Sequence, residues 1–228
     1  MTDTSTQFSD STVRIPLPAD GSGTYTYLRN GEPSGITETF EVSGDGTQVR
    51  SKRTSPDGAT ISAEVRISDE TNGQVRLSIE GGELPTVQAM YMLTIGQLRV
   101  RHMADGNYED SEVDPGGDAV LSPLLRVFQG PAIAATILSG EATVVVPALD
   151  PGDPESLLTP SIQTRRAERL GVEAPDPSSE HPGLRHCRYV GGNYDDDAEF
   201  WLDDRDRLVR YHFPESDGTL WEVGLTED

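Results

Sequence analysis

Hydrophobic and polar residues alternate along much of the chain, and the alternation is clearest over residues 60–68. There every second position is apolar, occupied by Ile61, Ala63, Val65 and Ile67, and the positions between them are polar. Successive side chains of a β-strand point to opposite faces of the sheet. This spacing therefore predicts a strand with one buried and one solvated face.

Turn-forming residues separate such runs throughout the first half of the chain. Asn30-Gly31 follows the β-rich run 24–29, and Asn72-Gly73 follows the alternating run just described. Asn-Gly readily supplies the two positive φ angles of a type I′ turn, so each pair predicts a tight hairpin. The pattern up to Met103 thus predicts a meander of roughly seven antiparallel strands.

The spacing of apolar residues changes in the middle of the chain. Asp118 is a candidate N-cap for a helix over Ala119–Gln129, where apolar residues have helical spacing. Gly130-Pro131 is expected to end that helix, residues 132–138 are expected to form a second short one, and residues 161–170 a surface helix. These segments predict a helical insert at about 118–171.

Strand-like runs surround and follow the predicted helices. They cover residues 142–148, 186–190, 198–203, 208–213 and 219–225. The last four lie close enough together to complete the sheet begun by the first half. We therefore predict a flexible lead-in over residues 1–22 and a single β-rich domain over residues 23–228.

The charge of the chain limits its partners. The sequence has 39 acidic and 18 basic residues, a net charge of −21 at pH 7. Nucleic acids and anionic membranes attract basic surfaces, so neither is an expected partner. The acidity favours a solubility role, and adaptation to a salty environment is the alternative.

Several features bear on location. Cys187 is the only cysteine, so no intramolecular disulfide is expected. No apolar run reaches the ~18 residues that a membrane-spanning helix needs, and the first residues do not form a secretory signal. These observations predict a cytoplasmic protein, and they leave its oligomeric state open.

Three stretches resemble a group of bacterial proteins related to the lipoprotein carrier LolA, which also includes glycolipid-binding proteins and the violacein-pathway enzyme VioE. They are Tyr25-Thr-Tyr-Leu-Arg-Asn-Gly-Glu-Pro-Ser-Gly35, the hairpin from Phe200-Trp-Leu-Asp-Asp204 to Arg207-Leu-Val-Arg-Tyr211, and Leu220-Trp-Glu-Val223. The resemblance implies a mainly β fold, a strongly curved antiparallel sheet forming an unclosed β-barrel, with a few short helices covering its concave face. Members look like carriers of acyl chains or flat hydrophobic ligands, and at least one catalyses a reaction without a cofactor.

The resemblance has a limit. The chain lacks the signal peptide and the lipobox cysteine of the secreted carriers, which argues against transport of periplasmic lipoproteins. No site motif of the group is present, so no functional residue is transferred from it.

The sequence predicts neither a metal site nor a cofactor. Asp195–Asp197 and the group Asp203, Asp204 and Asp206 lack the central glycine and distal glutamate of a calcium loop. His186 and Cys187 are adjacent in a predicted strand and point to opposite faces, so they do not chelate zinc together. No phosphate-binding loop is present.

The main functional hypothesis is the binding of a lipid-like or aromatic small molecule in an apolar concavity. Methionine and aromatic side chains form adaptable apolar walls, although they are also ordinary core residues. The candidate apolar residues are Met90, Met92, Met103, Trp201, Tyr211 and Trp221. The candidates for contacts with a polar head group are Arg99, Arg101 and Arg210, and His102 and His212 complete the set of candidate ligand-binding residues.

Two other functions are also considered. One is a cofactor-independent enzyme in which His102 or His212 works with a carboxylate, although no Gly-x-Ser-x-Gly nucleophile motif is present. The other is an acidic interaction module that uses an exposed sheet edge or its acidic face to meet a basic partner. The ligand, and whether any reaction is catalysed, are open at this stage.

Overall fold

The fold of the protein was analysed from a computed structural model, which describes residues 11–104, 106–173, 183–192, 194 and 197–227. The strands are β1 (Val13–Arg14), β2 (Gly21–Arg29), β3 (Glu32–Ser43), β4 (Gln48–Thr54), β5 (Thr60–Asp69), β6 (Asn72–Glu80), β7 (Val87–Thr94), β8 (Gln97–Ala104), β9 (Asn107–Val113), β10 (Ala119–Leu121), β11 (Glu141–Pro147), β12 (Pro160–Glu173), β13 (Leu184–Val190), β14 (Glu199–Leu202), β15 (Leu208–Pro214) and β16 (Leu220–Glu227). The α-helix, α1, spans Arg126–Ser139, and a short 3-10 turn covers Pro154–Ser156.

All sixteen strands belong to one sheet, in the order β1-β10-β11-β12-β13-β14-β15-β16-β2-β3-β4-β5-β6-β7-β8-β9. Pairing is antiparallel from β11 to β9, and the two parallel pairs are β1–β10 and β10–β11. The middle of the sheet is formed by β16 and β2, which come from opposite parts of the chain. This single unclosed antiparallel sheet confirms the predicted mainly β fold class.

The alternation of the sequence corresponds to the two faces of the sheet. In β5, Ile61, Ala63, Val65 and Ile67 are buried, while the residues between them are partly or fully exposed. The same alternation in the other strands gives the sheet an inner face that carries the hydrophobic core and an outer face that meets solvent. The Asn30-Gly31 hairpin is also confirmed, with φ values of 53° and 80° between β2 and β3.

The inner face is covered by α1 and by the segment between β11 and β12. The phenolic oxygen of Tyr91, on β7, donates a hydrogen bond to the carbonyl of Leu158 at 2.6 Å. His102 Nε2, on β8, lies 2.8 Å from the carbonyl of Leu157. These two contacts show that the segment, whose Leu157 and Leu158 are fully buried, reaches β7 and β8 across the inside of the sheet.

The predicted end of the first helix at Gly130-Pro131 is wrong. Both residues lie inside α1, where Phe128 and Ile133 on either side of them are fully buried. A Cβ atom on Gly130 would lie 2.2 Å from the carbonyl oxygen of Asp206, so glycine allows the helix to approach the β14–β15 turn closely. Packing against the sheet therefore outweighs the poor helix propensity of the pair.

The predicted start of that helix is also wrong, because Ala119–Leu121 forms β10. Parallel pairing with β1 and β11 provides this short strand with backbone partners on both sides. The Asp118 carboxylate does not cap a helix and instead accepts a hydrogen bond from the Thr12 amide at 3.2 Å. The helix begins at Arg126.

Residues 161–170 form most of the long strand β12, and the surface helix predicted there is wrong. Arg165 and Ala167 are buried, whereas Arg166 and Glu168 between and beyond them are exposed. This alternation is typical of a strand, and the strand pairs with β11 on one side and with β13 on the other. Of the predicted insert at 118–171, the α-helical part is residues 126–139.

The segment that follows residue 10 runs along the turn end of several hairpins. The Val13 amide donates to the Gly96 carbonyl at 2.8 Å, and the Ile15 amide donates to the Glu70 carbonyl at 2.9 Å. Val13 and Ile15 are buried. Residues 1–10 of the predicted lead-in lie outside the described part of the chain. Within that part, α1 is not long and apolar enough to span a membrane.

Candidate functional site

A cavity of about 600 Å³ lies between the inner face of the sheet, the start of α1 and the beginning of the β11–β12 segment. Seven of the residues that line it are apolar: Pro123, Leu124, Val146, Pro147, Ala148, Leu149 and Pro151. The rest of the lining is polar and consists of Arg53, Ser122, Arg126, Gln129, Asp150, Ser161, Gln163, Arg165, Tyr189 and Tyr194. The cavity therefore combines apolar side chains with three guanidinium groups.

The buried carboxylate of Glu38 holds the start of α1 beside this cavity. Glu38 lies on the inner face of β3, and its Oε1 accepts a hydrogen bond from the Arg126 backbone amide at 2.6 Å. Its Oε2 accepts a hydrogen bond from the Tyr27 hydroxyl at 3.0 Å. Leu125 provides no side-chain cap, so the strand residue satisfies an amide that the helix itself leaves free. A negative charge at this end also complements the helix dipole.

Burial dominates the acid–base properties of this pair of residues. It raises the pKa of Glu38 above the ordinary value of 4.5, although Arg126 and Arg53 act in the opposite direction. Burial, together with the Glu38 charge, raises the pKa of Tyr27 to about 12. Tyr27 consequently remains a hydrogen-bond donor over the whole physiological pH range.

The Arg126 side chain extends from the first turn of α1 and is held by neutral groups. Its Nη1 donates to Gln129 Oε1 at 2.7 Å and to the Tyr194 hydroxyl at 2.9 Å, and its Nε donates to the Tyr27 hydroxyl at 3.2 Å. The guanidinium carbon lies 4.9 Å from the ring centroid of Tyr211, a cation–π arrangement. These contacts are with neutral groups, and the charge of the guanidinium is balanced in part, without direct pairing, by the Glu38 carboxylate.

Arg165 supplies a second guanidinium from the inner face of β12. Its central carbon lies 5.4 Å from the ring centroids of both Tyr189 and Tyr194. Its Nη2 donates to Gln163 Oε1 at 2.6 Å, and its Nη1 donates to the Gly191 carbonyl. The Nε atom is buried and has no hydrogen-bond partner in the described part of the chain.

Glycine at position 192 makes room for this arginine. A Cβ atom there would lie 2.4 Å from Arg165 Nη2 and 2.6 Å from Gln163 Oε1. Gly192 also has a φ of 59°, which residues with a side chain rarely adopt. Glycine at this position therefore accommodates the Arg165 head group.

Arg53 is the third guanidinium, on the inner face of β4 directly opposite Glu38 in the strand register. Among the residues that the structure describes, Arg53, Arg126 and Arg165 form no ion pair with a carboxylate within 4.0 Å. Arginines on the outer face do so, as in Arg99–Glu112 and Arg101–Asp110, each at 2.7 Å. The cavity thus concentrates positive charge inside a strongly acidic chain.

The residues proposed from the sequence for ligand binding lie in three places. Met90, Met92, Met103, Arg99 and Arg101 share the outer face of β7 and β8, because the alternating Ala89, Tyr91 and Val100 occupy the inner face. Trp201, Arg210 and His212 share the outer face of β14 and β15. His102, Tyr211 and Trp221 lie on the inner face.

The outer group on β14 and β15 forms a stacked aromatic cluster. Trp201 lies 4.6 Å from the His186 ring in a parallel stack and 5.2 Å from the His212 ring. Glu199 Oε2 is 3.0 Å from His186 Nε2 and 3.6 Å from His212 Nε2. The sheet separates this histidine–carboxylate group from the cavity.

None of the eleven predicted residues is among the described residues that line the cavity. Tyr211 contacts a residue that lines the cavity, because its ring lies under the Arg126 guanidinium. His102 contacts the Leu157 carbonyl, and Trp221 lies 5.9 Å from the Arg29 guanidinium carbon. The ligand-binding role of all eleven residues remains a prediction.

Of the two acidic groups noted in the sequence, the one around Asp203 has a structural role in the β14–β15 turn. Asp203 is buried, and its carboxylate accepts hydrogen bonds from the Arg205 and Arg207 amides and from Arg207 Nε. It therefore closes the β14–β15 turn. Asp195 and Asp196 lie outside the described residues.

Sequence reasoning missed the residues that line the cavity, although part of the signal was present. In the run 36–42, Glu38 shares its alternation with Ile36, Phe40 and Val42, so a charged residue occupies an inward position. Arg53 follows Val49 and Ser51 in the same way. Arg165 carried no such signal, because its segment was assigned to a helix.

Comparison with known proteins supports the fold. The crystal structure of a β-barrel-like protein of a domain of unknown function, DUF1849, from Brucella abortus superposes with a TM-score of 0.52. It is 10% identical in sequence, and the match covers 92% of this chain and 98% of that one. At this identity the likeness shows a barrel-like fold and carries no function, and it does not extend to LolA or VioE. No family model and no curated protein matches the sequence.

Proposed function

We propose that the protein binds a small amphipathic organic anion in the cavity beside α1. The apolar body of the ligand lies against the wall that contains Leu124, Val146 and Leu149. Its carboxylate or phosphate group faces Arg126 and Arg165, with Arg53 nearby. The observation that carries this proposal is that three guanidinium groups line one cavity and that none of them forms an ion pair within 4.0 Å with a carboxylate of the described residues.

The burial of the Arg165 charge has an electrostatic cost. Removing a charged group from water is unfavourable unless a partner of opposite charge compensates. Arg165 is 6% exposed, yet its described partners are a carbonyl, an amide oxygen and two aromatic faces. In a chain with 39 acidic residues, a carboxylate partner would be easy to provide. Its absence among the described contacts favours a site that takes its negative charge from a ligand.

The size and lining of the cavity suit an organic molecule and not a bare ion. Sites for small organic ligands usually have volumes of roughly 300–1,000 Å³ and combine apolar walls with a few polar groups. This cavity, at about 600 Å³, has both kinds of wall. The guanidinium fork matches the geometry of carboxylate and phosphate oxygens, which assigns the anionic end to the arginine side.

The proposal narrows the hypothesis of a lipid-like or aromatic ligand. The resemblance to carriers of acyl chains and flat hydrophobic molecules is consistent with an apolar body, and the arginines add an anionic end. The enzyme alternative has less support, because no histidine is among the described residues that line the cavity. Binding is therefore the function that this geometry favours.

The test is calorimetric titration with octanoate and hexyl phosphate, supported by native mass spectrometry of the protein as purified. Both anions should bind the wild type with one ligand per chain. Arg165→Gln should weaken binding roughly tenfold or more, as expected for loss of a charge-assisted contact. Arg50→Gln removes the same charge from the exposed outer face of β4 and should leave binding unchanged. Absence of binding to the wild type, or equal loss in the two variants, would refute the proposal.

A further inference from the structure

We infer that the anionic group of the ligand carries two negative charges, as a phosphate monoester or a dicarboxylate does. This inference rests on the proposed function and specifies the ligand class. It follows from the charge balance around the cavity and from the arrangement of Arg126 and Arg165 around Tyr194.

The charge balance leaves an excess of two positive charges. Arg53, Arg126 and Arg165 supply three, and the buried Glu38 carboxylate beside them supplies one negative charge. Asp150 also lines the cavity, but it is exposed, and its Oδ1 accepts a hydrogen bond from the Gly152 amide. Its charge is screened by water, whereas those of Arg165 and Glu38 are not. A dianion balances these four buried or partly buried charges, and a monoanion leaves one positive charge uncompensated.

Glu38 is not available to pair with the arginine side chains. Its oxygens already accept hydrogen bonds from the Arg126 amide and the Tyr27 hydroxyl, and its Oε1 lies 3.5 Å from the Ser51 hydroxyl. It is therefore used to fix the start of the helix. The guanidinium groups keep their capacity to bind an external anion.

The guanidinium groups of Arg126 and Arg165 both contact Tyr194. The Tyr194 hydroxyl is 2.9 Å from Arg126 Nη1, and its ring centroid is 5.4 Å from the Arg165 guanidinium carbon. One compact group beside Tyr194 can therefore be reached from both sides. Each of the two guanidinium groups carries several N–H donors. Phosphate and paired carboxylates have enough oxygen acceptors to use several such donors.

The experiment compares ligands that differ in charge and little in shape. Hexyl phosphate is largely dianionic at pH 8, because its second pKa lies near 6, and hexyl sulfate is a monoanion with the same tetrahedral head. Hexylmalonate is octanoate with one additional carboxylate on the same carbon. Calorimetric titration at pH 8 should show the dianion binding roughly tenfold more tightly in at least one pair. The pair that shows the preference identifies the head group.

Two variants and a pH change make the result specific. The preference should shrink in Arg165→Gln and Arg53→Gln and persist in Arg50→Gln. The preference for hexyl phosphate over hexyl sulfate should also fall at pH 5, where the phosphate monoester carries one charge. Two independent arginine variants are used so that a folding defect in one does not decide the outcome.

The possible results separate the two proposals. Equal affinity within both ligand pairs would overturn the inference of a dianion and leave the proposed function in place. A preference that neither arginine variant alters would overturn its assignment to this cavity. Failure of all four ligands to bind would refute the proposed function itself.

Discussion

Glu38 and Arg126 are joined by a hydrogen bond in which the strand carboxylate accepts the first amide of the helix at 2.6 Å. The contact links β3 to α1 across the inside of the sheet. It also brings the Arg126 side chain to the cavity, since the same residue supplies both the capped amide and the guanidinium. The stability of the helix and the charge of the proposed binding site therefore depend on one buried carboxylate.

We predict that Glu38→Ala destabilises the protein by about 2–4 kcal/mol, because it leaves the Arg126 amide and the Tyr27 hydroxyl without an acceptor. Urea unfolding followed by circular dichroism measures the change. Glu41→Ala, on the exposed face of the same strand, should change the free energy of unfolding by less than about 0.5 kcal/mol. Similar effects of the two substitutions would contradict the role assigned to Glu38.

The raised pKa of Glu38 predicts a pH dependence of defined sign. Between the ordinary value of 4.5 and the higher pKa in the folded state, the folded protein binds more protons at this site than the unfolded chain. The contribution of Glu38 to stability is therefore complete below about pH 4.5 and declines as the pH rises through the folded pKa. Thermal unfolding of wild type and Glu38→Gln from pH 4 to 7 tests this. The stability difference, wild type minus variant, should fall with rising pH, and a rise would contradict the prediction.

Gly192→Ala should reduce both stability and anion binding. The added methyl group meets Arg165 Nη2 at 2.4 Å and has to displace the guanidinium. Gly218→Ala is the matched control, since Gly218 also has a positive φ but its Cβ position is open. The control should show only the backbone cost of about 1–2 kcal/mol. Equal losses of stability, together with unchanged hexyl phosphate affinity in Gly192→Ala, would argue against a fitted Arg165 pocket.

Gly130→Ala tests the contact between α1 and the β14–β15 turn. By helix propensity alone, alanine should stabilise an α-helix by about 1 kcal/mol relative to glycine. We expect destabilisation instead, because the new Cβ would lie 2.2 Å from the Asp206 carbonyl oxygen. Gly171→Ala, in the open part of β12, introduces a methyl group without such a contact. An increase in melting temperature for Gly130→Ala would show that the helix is not held this closely.

Ile15→Ala tests how firmly the segment after residue 10 is bound to the turns beneath it. Ile15 is 1% exposed, and truncation of a buried isoleucine costs about 2–5 kcal/mol. Leu17→Ala, at a position that is 37% exposed, should cost clearly less. Differential scanning calorimetry of both variants provides the comparison. Equal, small changes in melting temperature would mean that this segment contributes little to stability.

Local signals predicted most of the sheet but few of the residues around the cavity. The period-two pattern of β5 and the Asn30-Gly31 turn were sufficient, because both depend on neighbouring residues only. Asn72-Gly73 was assigned as a turn in the same way, yet it begins β6, and the turn is formed by Glu70 and Thr71 with Asp69 accepting the Thr71 amide. The turn preference of Asn72-Gly73 is thus overridden, because the Asp69 side chain fixes a turn earlier in the chain.

The errors in the middle of the chain have a common physical cause. Ala119–Leu121 and residues 161–170 have compositions that suit a helix, and only pairing with distant strands makes them β-strands. In the same way, the meeting of Arg53, Arg126 and Arg165 depends on the curvature of the whole sheet. Glu38 was the exception, because an acidic residue at an inward position of an alternating run is visible without any structure.

The pairing of β16 with β2 has a consequence for the order in which the molecule assembles. The hairpins from β2 to β9 are local and can form soon after synthesis, since neighbouring strands follow each other along the chain. One edge of β2 nevertheless stays open until β16, from the other end of the sequence, has left the ribosome. Until β16 is synthesised, the nascent protein has an unpaired strand edge to which another chain can add. We therefore expect the risk of self-association to be highest before β16 pairs with β2.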